Sequence, residues 1–303
     1  MAARKQLHSA TKAPSRSKVA RRPPSPSGEA IAFQGLPGAY SHLACREAYP
    51  QLAPLPCPTF EDAFAAVEDG RAALAMIPIE NSLGGRVADI HHLLPASSLY
   101  IIAEHFQPVH HCLLGVRGAT LEGLTRVLSH EQALAQCRGQ LKSLGLEPVT
   151  RADTAGAARE VAEVNEKSTG AVASALAAET YGLKVLRTRV EDRIGNTTRF
   201  VVMSRRRIDP DPKEGPSLTA FIFQVRSVPA ALYKSLGGFA TNGINITKIE
   251  SYLSGDRFSV AQFYAEIEGH PADLKVARAL EELDYFSTSL RILGSFRAHK
   301  FRQ

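Results

Sequence analysis

From residue 30 onward, short apolar runs alternate with stretches of helical periodicity, the pattern of an α/β fold. Ile31, Ala32 and Phe33 make a first strand that enters a glycine-containing turn. Thr59 is placed to cap a helix, with Asp62 reaching back and Gly70 ending it. Residues 72–77 predict a buried strand stopped by Pro78. Extended segments at 100–103 and 111–116 carry the chain towards a second lobe, where Val127 and Leu128 start a short strand. A helix over 131–144 closes at Gly145, and Asp153 or Thr154 caps another that runs to Val164. A strand at 171–173, a helix at 175–181 ended by Gly182, and a strand at 198–203 complete this region.

The pattern then breaks. Residues 205–217 hold three successive arginines and the run Asp209-Pro210-Asp211-Pro212-Lys213-Glu214-Gly215-Pro216, the composition of a linker. Beyond it the periods read strand (218–225), helix (230–240), two strands joined at Ser254-Gly255-Asp256, helix (from Pro271 to Leu283) and strand (288–293). That βαββαβ order is a ferredoxin-like unit, whose open sheet edges predict pairing between copies. The organisation expected is a basic tail over 1–28, an α/β region over 29–207 with its second lobe at about 106–190, a linker over 208–216 and a small domain over 217–303.

Charge changes the picture at one place. The net charge of +6 suggests nucleic acid, but seven basic residues and no acidic one fall within residues 1–27, which leaves 29 basic against 30 acidic residues elsewhere. The folded body is therefore near neutral, and no nucleic-acid partner is expected for it. The Ser/Pro/Lys/Arg tail buries no core. It reads as a solvated extension, with organelle import or a nucleic-acid or membrane-surface arm as alternatives. No run is long and apolar enough for a secretory core or a membrane span, so a cytoplasmic protein with no membrane partner is expected. Cys45, Cys57, Cys112 and Cys137 lack metal or redox spacing and read as reduced core residues.

Four polar segments stand where ligands of α/β folds bind. Gly35-Leu36-Pro37-Gly38-Ala39-Tyr40-Ser41 lies between a strand and a helix, where free N–H groups can meet an anion, with a plain tight turn as the alternative. It is neither a dinucleotide fingerprint nor a phosphate loop. Glu80, Asn81 and Ser82, with Gly84 and Gly85, follow a strand at its C-terminal edge. Ser129, a natural N-cap, opens a helix that carries Gln132 and Gln136 on one face. In Asn196-Thr197-Thr198-Arg199-Phe200, alternation sets Thr198 and Phe200 on one face of a strand and Arg199 on the other. Solvated loops, caps and an exposed arginine are the plainer reading of each.

Taken together and in this order, Glu80-Asn81-Ser82, Ser129-His130-Glu131-Gln132 with Gln136, and Asn196 to Phe200 resemble the signatures of the prephenate dehydratase family, over about residues 30–205. The resemblance implies a two-lobed catalytic domain similar to periplasmic binding proteins, with the active site between the lobes and no cofactor or metal. It sets Thr198 as the catalytic residue. Gly38, Ser41, Glu80, Asn81, Ser82, Ser129, Gln132, Gln136, Arg199 and Phe200 follow as substrate-binding residues. It further implies that the C-terminal unit is an ACT domain, with Asn245, Ile246, Glu250 and Ser251 at a phenylalanine effector site, in a homodimer or homotetramer. Tyr252-Leu253 departs from the Arg-Pro that many relatives carry there. The substrate implied is prephenate, with arogenate as the alternative. Readings outside the family are a two-lobed solute-binding protein and a ligand-sensing regulator.

Overall fold

The computed structural model describes residues 29–302 except 88, 89, 91, 227 and 255–259. The basic tail and the centre of the predicted Ser254-Gly255-Asp256 turn lie outside the described residues. The first lobe runs β1 (Ala30–Gln34), α1 (Tyr40–Ala48), β2 (Ala53–Cys57), α2 (Phe60–Glu68), β3 (Leu74–Asn81), β4 (Gly85–Arg86), α3 (Leu93–Ala96) and β5 (Tyr100–Pro108). The second runs β6 (Cys112–Gly115), β7 (Arg126–His130), α4 (Glu131–Gln136), α5 (Arg138–Ser143), β8 (Glu147–Arg151), α6 (Thr154–Val164), β9 (Thr169–Ala173), α7 (Ala175–Tyr181) and β10 (Lys184–Arg187). The chain then returns through β11 (Thr197–Ser204). The first sheet has the order β2-β1-β3-β11-β5 with β4 beside β3, and the second β10-β6-β9-β7-β8. The molecule is thus the two-lobed α/β structure expected.

The two crossings between lobes run side by side. Thr197 pairs with Pro108 across β11 and β5, and Val109 N–H donates to the Asn196 carbonyl at 2.8 Å. Thr198 is therefore among the first residues to re-enter the first lobe, at the junction.

Two expected elements of the lobes differ. β3 does not stop at Pro78 but continues to Asn81. Its pairing with β1 ends at Met76, and the register against β11 shifts so that Arg199 faces Glu80 and Phe200 faces Pro78. The bulge and the vacated flank spare Pro78 the amide hydrogen bond it cannot make. The helix predicted over 131–144 is two, broken at Cys137. Asp192, from a distant loop, accepts from the N–H groups of Gly139 and Gln140 at 2.7 and 3.0 Å and so starts a second helix.

The C-terminal unit comprises β12 (Ser217–Val225), α8 (Ala231–Thr241), β13 (Ile246–Ser254), β14 (Val260–Glu268), α9 (Leu274–Phe286) and β15 (Ser287–Arg297). Its sheet order, β13-β14-β12-β15, is ferredoxin-like. Pro271 does not open α9; Asp273 caps it three residues before Val276, accepting from Lys275 N–H. Along β12, Phe221 and Phe223 pack under α8 and α9, while Leu218, Ala220 and Ile222 join the core of the first lobe with Ile101, Val201 and Met203. A strand apolar on both faces is buried on both. At Gly294 on β15, an added Cβ would lie 2.0 Å from the Ile101 carbonyl oxygen of β5, so only glycine permits this approach.

Candidate functional site

Asn81 is the pivot of the junction. Its Oδ1 accepts from the backbone N–H groups of Leu83 and Gly84 at 3.0 and 2.7 Å. Backbone donors cannot reverse, so they fix which end of the amide faces where. Asn81 Nδ2 must donate, and it does so to Asn196 Oδ1 at 2.7 Å and Thr198 Oγ1 at 3.0 Å. Thr198 therefore accepts from Asn81, and its own hydroxyl hydrogen is left to donate elsewhere.

The same polarity propagates into the second lobe. Because Asn196 Oδ1 accepts, its Nδ2 donates to Gln136 Oε1 at 2.8 Å. Gln136 Oε1 also accepts from His111 Nε2 at 2.9 Å, so that nitrogen carries the proton and Nδ1 is bare. Tyr40 OH lies 2.9 Å from His111 Nδ1 and 2.8 Å from the His110 carbonyl, with one hydrogen to serve both. Burial lowers the His111 pKa, and the hydrogen bond to Gln136 and then the charge of Glu191, whose carboxylate accepts from the His111 backbone N–H at 2.9 Å, only partly offset it. Burial likewise raises the Tyr40 pKa well above its ordinary value. Four elements, α1, α4, β3 and β11, and the loop residues His111 and Asn196 thus join in one chain of hydrogen bonds whose donors converge on Gln136 Oε1 from both sides, and Gln136 Nε2 is left as a donor.

Of the residues predicted from sequence, Asn81, Gln136 and Thr198 meet here. Gln132 joins them, since its Nε2 lies 2.0 Å from where a Cβ on Gly84 would sit. Ser82 staples the loop to its neighbour, donating to the Gly195 carbonyl at 2.9 Å and accepting from Thr197 N–H at 3.0 Å. Ser129 does not cap α4. It is fully buried at the end of β7, where its hydroxyl donates to the Val172 carbonyl, and His130 Nδ1 accepts from Gln132 N–H instead. The Gly38 N–H is not open to an anion, being taken by His42 Nδ1 at 2.9 Å. Gly38 instead joins the lobes, with Ser174 Oγ donating to its carbonyl at 2.6 Å. Ser41 lies half-buried in the first turn of α1.

Three residues face elsewhere. Phe200 is buried in the core beneath α1, among Phe33, Ala44 and Met76. Arg199 and Glu80 turn to the opposite face of the sheet, towards the C-terminal unit. There Arg199 binds Glu80 at 3.0 Å, Glu104 at 2.8 Å and Glu266 at 2.8 Å. With its guanidinium buried and committed to three carboxylates, Arg199 is not placed to hold a substrate anion. In the C-terminal unit, Asn245 donates to Glu268 at 3.2 Å, Ile246 opens β13, Glu250 binds Lys248 at 2.5 Å, and Ser251 is exposed. Sequence reasoning missed Tyr40 and His111 as members of the chain. The buried-side adjacency of Tyr40 to the Gly38 turn was the sole local hint.

The family described as Prephenate dehydratase matches residues 31–208. A relative from Komagataeibacter europaeus, named a bifunctional N-acyl-homoserine lactone acylase/prephenate dehydratase, is 54% identical over 90% of this chain and 97% of its own. The arogenate dehydratase/prephenate dehydratase 6 of Arabidopsis thaliana, named as chloroplastic, is 42% identical over 88% and 68%. The solved prephenate dehydratase of Arthrobacter aurescens in complex with L-Phe is 30% identical, with a TM-score of 0.82 over 90% of this chain and 91% of that one. With the family matched over more than half the chain and Thr198, Asn81 and Gln136 drawn together at the lobe junction, the chain belongs to the prephenate dehydratase family.

Proposed function

We propose that the protein converts prephenate to phenylpyruvate, carbon dioxide and water, with Thr198 as donor to the departing ring hydroxyl. As the bond to the ring carboxylate breaks, its electron pair enters the ring and expels the para hydroxyl, which leaves as water on gaining a proton. Aromatisation drives the step, so the protein has to hold two carboxylates and assist a poor leaving group. The observation that carries this reading is the donor polarity of the site: Asn81 donates to Thr198 Oγ1, which frees the hydroxyl hydrogen for an acceptor. Threonine is a weak acid, so proton transfer develops late in the transition state. A positioned donor of this kind is worth about 10²–10⁴-fold. Gln132, Gln136 and the polar edge of α1 near Ser41 anchor the anionic substrate.

Thr198→Ala is expected to lower kcat by at least about 10²-fold with the fold intact, while Thr198→Ser keeps much more activity. Asn81→Asp, which turns the donor into an acceptor and draws the Thr198 hydrogen away, is expected to cost a comparable factor. Turnover by the alanine variant close to the unmutated rate would refute the role. The assay offers prephenate, arogenate and an N-acyl-homoserine lactone side by side, because relatives carry all three activities in their names. Hydrolysis of the N-acyl amide, releasing fatty acid and homoserine lactone, without turnover of either cyclohexadiene would overturn the dehydratase reading.

The C-terminal unit is read as an ACT domain of a cytoplasmic homodimer or homotetramer, with phenylalanine as effector near Asn245, Ile246, Glu250 and Ser251. Its ferredoxin-like order supports the domain reading, and the relative solved with L-Phe supports the effector. A saturable heat of phenylalanine binding to the intact protein is the expected result; a flat isotherm would remove the effector.

A further inference from the structure

The C-terminal sheet places two charged side chains behind the site, one residue away from each of its key groups. Arg199 follows Thr198 on β11, and its Nη2 is 2.8 Å from Glu266 of β14. Glu80 precedes Asn81 on β3, and its Oε2 is 2.7 Å from Lys248 of β13. The Arg199, Glu104 and Glu266 side chains are at most 3% exposed, and that of Lys248 is 11% exposed. Tyr264 OH donates to the other oxygen of Glu266 at 2.5 Å, and Arg302 spans Glu104 at 2.7 Å and Glu266 at 3.5 Å. Burial opposes charge on Glu80, Glu104, Arg199 and Lys248, yet their partners outweigh it and keep all four ionised.

We propose that Lys248 and Glu266 of the C-terminal unit are positioning residues for the catalytic site: through Glu80 and Arg199 they set the seat of Asn81 and Thr198. On neighbouring positions of a strand, side chains point to opposite faces. Clamping Glu80 and Arg199 from behind therefore fixes how far Asn81 and Thr198 project in front. The bulge between Arg199 and Phe200 makes this seat depend on the clamp, since the ladder is out of register there. Glu80 is shared between the two units, with Arg199 on one oxygen and Lys248 on the other. Lys248 also binds Glu250 on its own strand, so a change in the position of β13 reaches Asn81 through one side chain. The inference rests on the dehydratase reading for its kinetic arm alone.

The test compares Lys248→Met, Lys248→Arg and Glu266→Gln in the full chain, by steady-state kinetics and by hydrogen exchange at the Leu83 and Gly84 amides, which bond to Asn81 Oδ1. Displacement of a reacting group by a fraction of an ångström to one ångström costs about 10–10²-fold in rate. Lys248→Met is expected to lower kcat at least about 10-fold with KM within about twofold, measured well below the variant's own melting temperature, which falls with the loss of the ion pair. The two amides should exchange faster, and Lys248→Arg should restore both readings. Glu266→Gln should act in the same direction. If it fails to fold, Lys248→Met decides alone. Unchanged kcat and unchanged exchange in folded Lys248→Met overturn the proposal. If the unmutated protein turns over no prephenate, the dehydratase reading falls, and the exchange measurement still decides the coupling.

Discussion

His111 is 2% exposed, neutral, and hydrogen-bonded through both ring nitrogens, donating to Gln136 and accepting from Tyr40. Protonating Nδ1 would turn it into a donor to the Tyr40 hydroxyl oxygen, whose hydrogen would then serve the His110 carbonyl alone, and would leave a positive charge in the interior. The folded protein therefore favours the neutral ring, and burial holds its pKa below 6.5. A group whose pKa is depressed on folding contributes stability that is present above its unfolded value and lost as pH falls through the folded one. Thermal melting is thus expected to hold above about pH 6.5 and to decline below it. His42 and His299 are lowered by burial as well, so the assignment needs a variant. In His111→Asn, the drop in melting temperature between pH 7 and pH 5 should shrink; an unaltered drop would place the titration elsewhere.

At the scale of elements, a few close approaches join the lobes. The turn after β1 abuts α7: Tyr181 OH donates to the Pro37 carbonyl at 2.7 Å, and Ser174, the cap of α7, donates to Gly38. Gly38 has a φ of +91°, and a Cβ there would come 2.8 Å from Ala177 Cα. Backbone on both sides leaves nothing that can give way. Gly38→Ala is therefore expected to wedge the lobes apart and to destabilise by about 1–3 kcal/mol. Urea denaturation checks this, and a midpoint equal to that of the unmutated protein would count against it. The glycine-containing turn around Gly38 was legible in the sequence, as an anion site or a plain tight turn. Its use as a joint between lobes was not, because Ala177 is far away in the chain and carries no motif.

Across the whole molecule, the C-terminal sheet shares a core with the first lobe, and the ionic network around Arg199 closes over it. Arg291 adds hydrogen bonds to the carbonyls of Leu94, Pro95 and Leu99. Removing one partner of a buried ion pair commonly costs about 3–5 kcal/mol, because the other charge stays in the interior. A chain ending at Arg207 would leave Arg199 without Glu266 and bare the apolar face formed by Ile79, Ile101, Val201 and Met203. Such a fragment is expected to aggregate or to unfold at lower urea than the intact protein. A monomeric fragment by size exclusion, as resistant to urea as the full chain, would contradict this.

What the sequence determined by itself was what depends on local periodicity and local chemistry. The α/β alternation, the Thr59 cap, a cap at Asp153 or Thr154, the αL glycine after α7 and the ferredoxin-like order all follow from neighbours a few residues apart. Alternation along β11 likewise set Arg199 opposite Thr198 and Phe200. Only the tertiary structure decided which face met what. It gave Arg199 and Glu80 to carboxylates and a lysine of the C-terminal unit, sank Phe200 into the core, split the helix at Cys137 with an aspartate from beyond β10, and drew Tyr40 and His111 into the chain that orients Thr198. Those outcomes turn on charges and donors brought together from distant segments, and hydrogen-bond polarity is fixed by partners rather than by order along the chain.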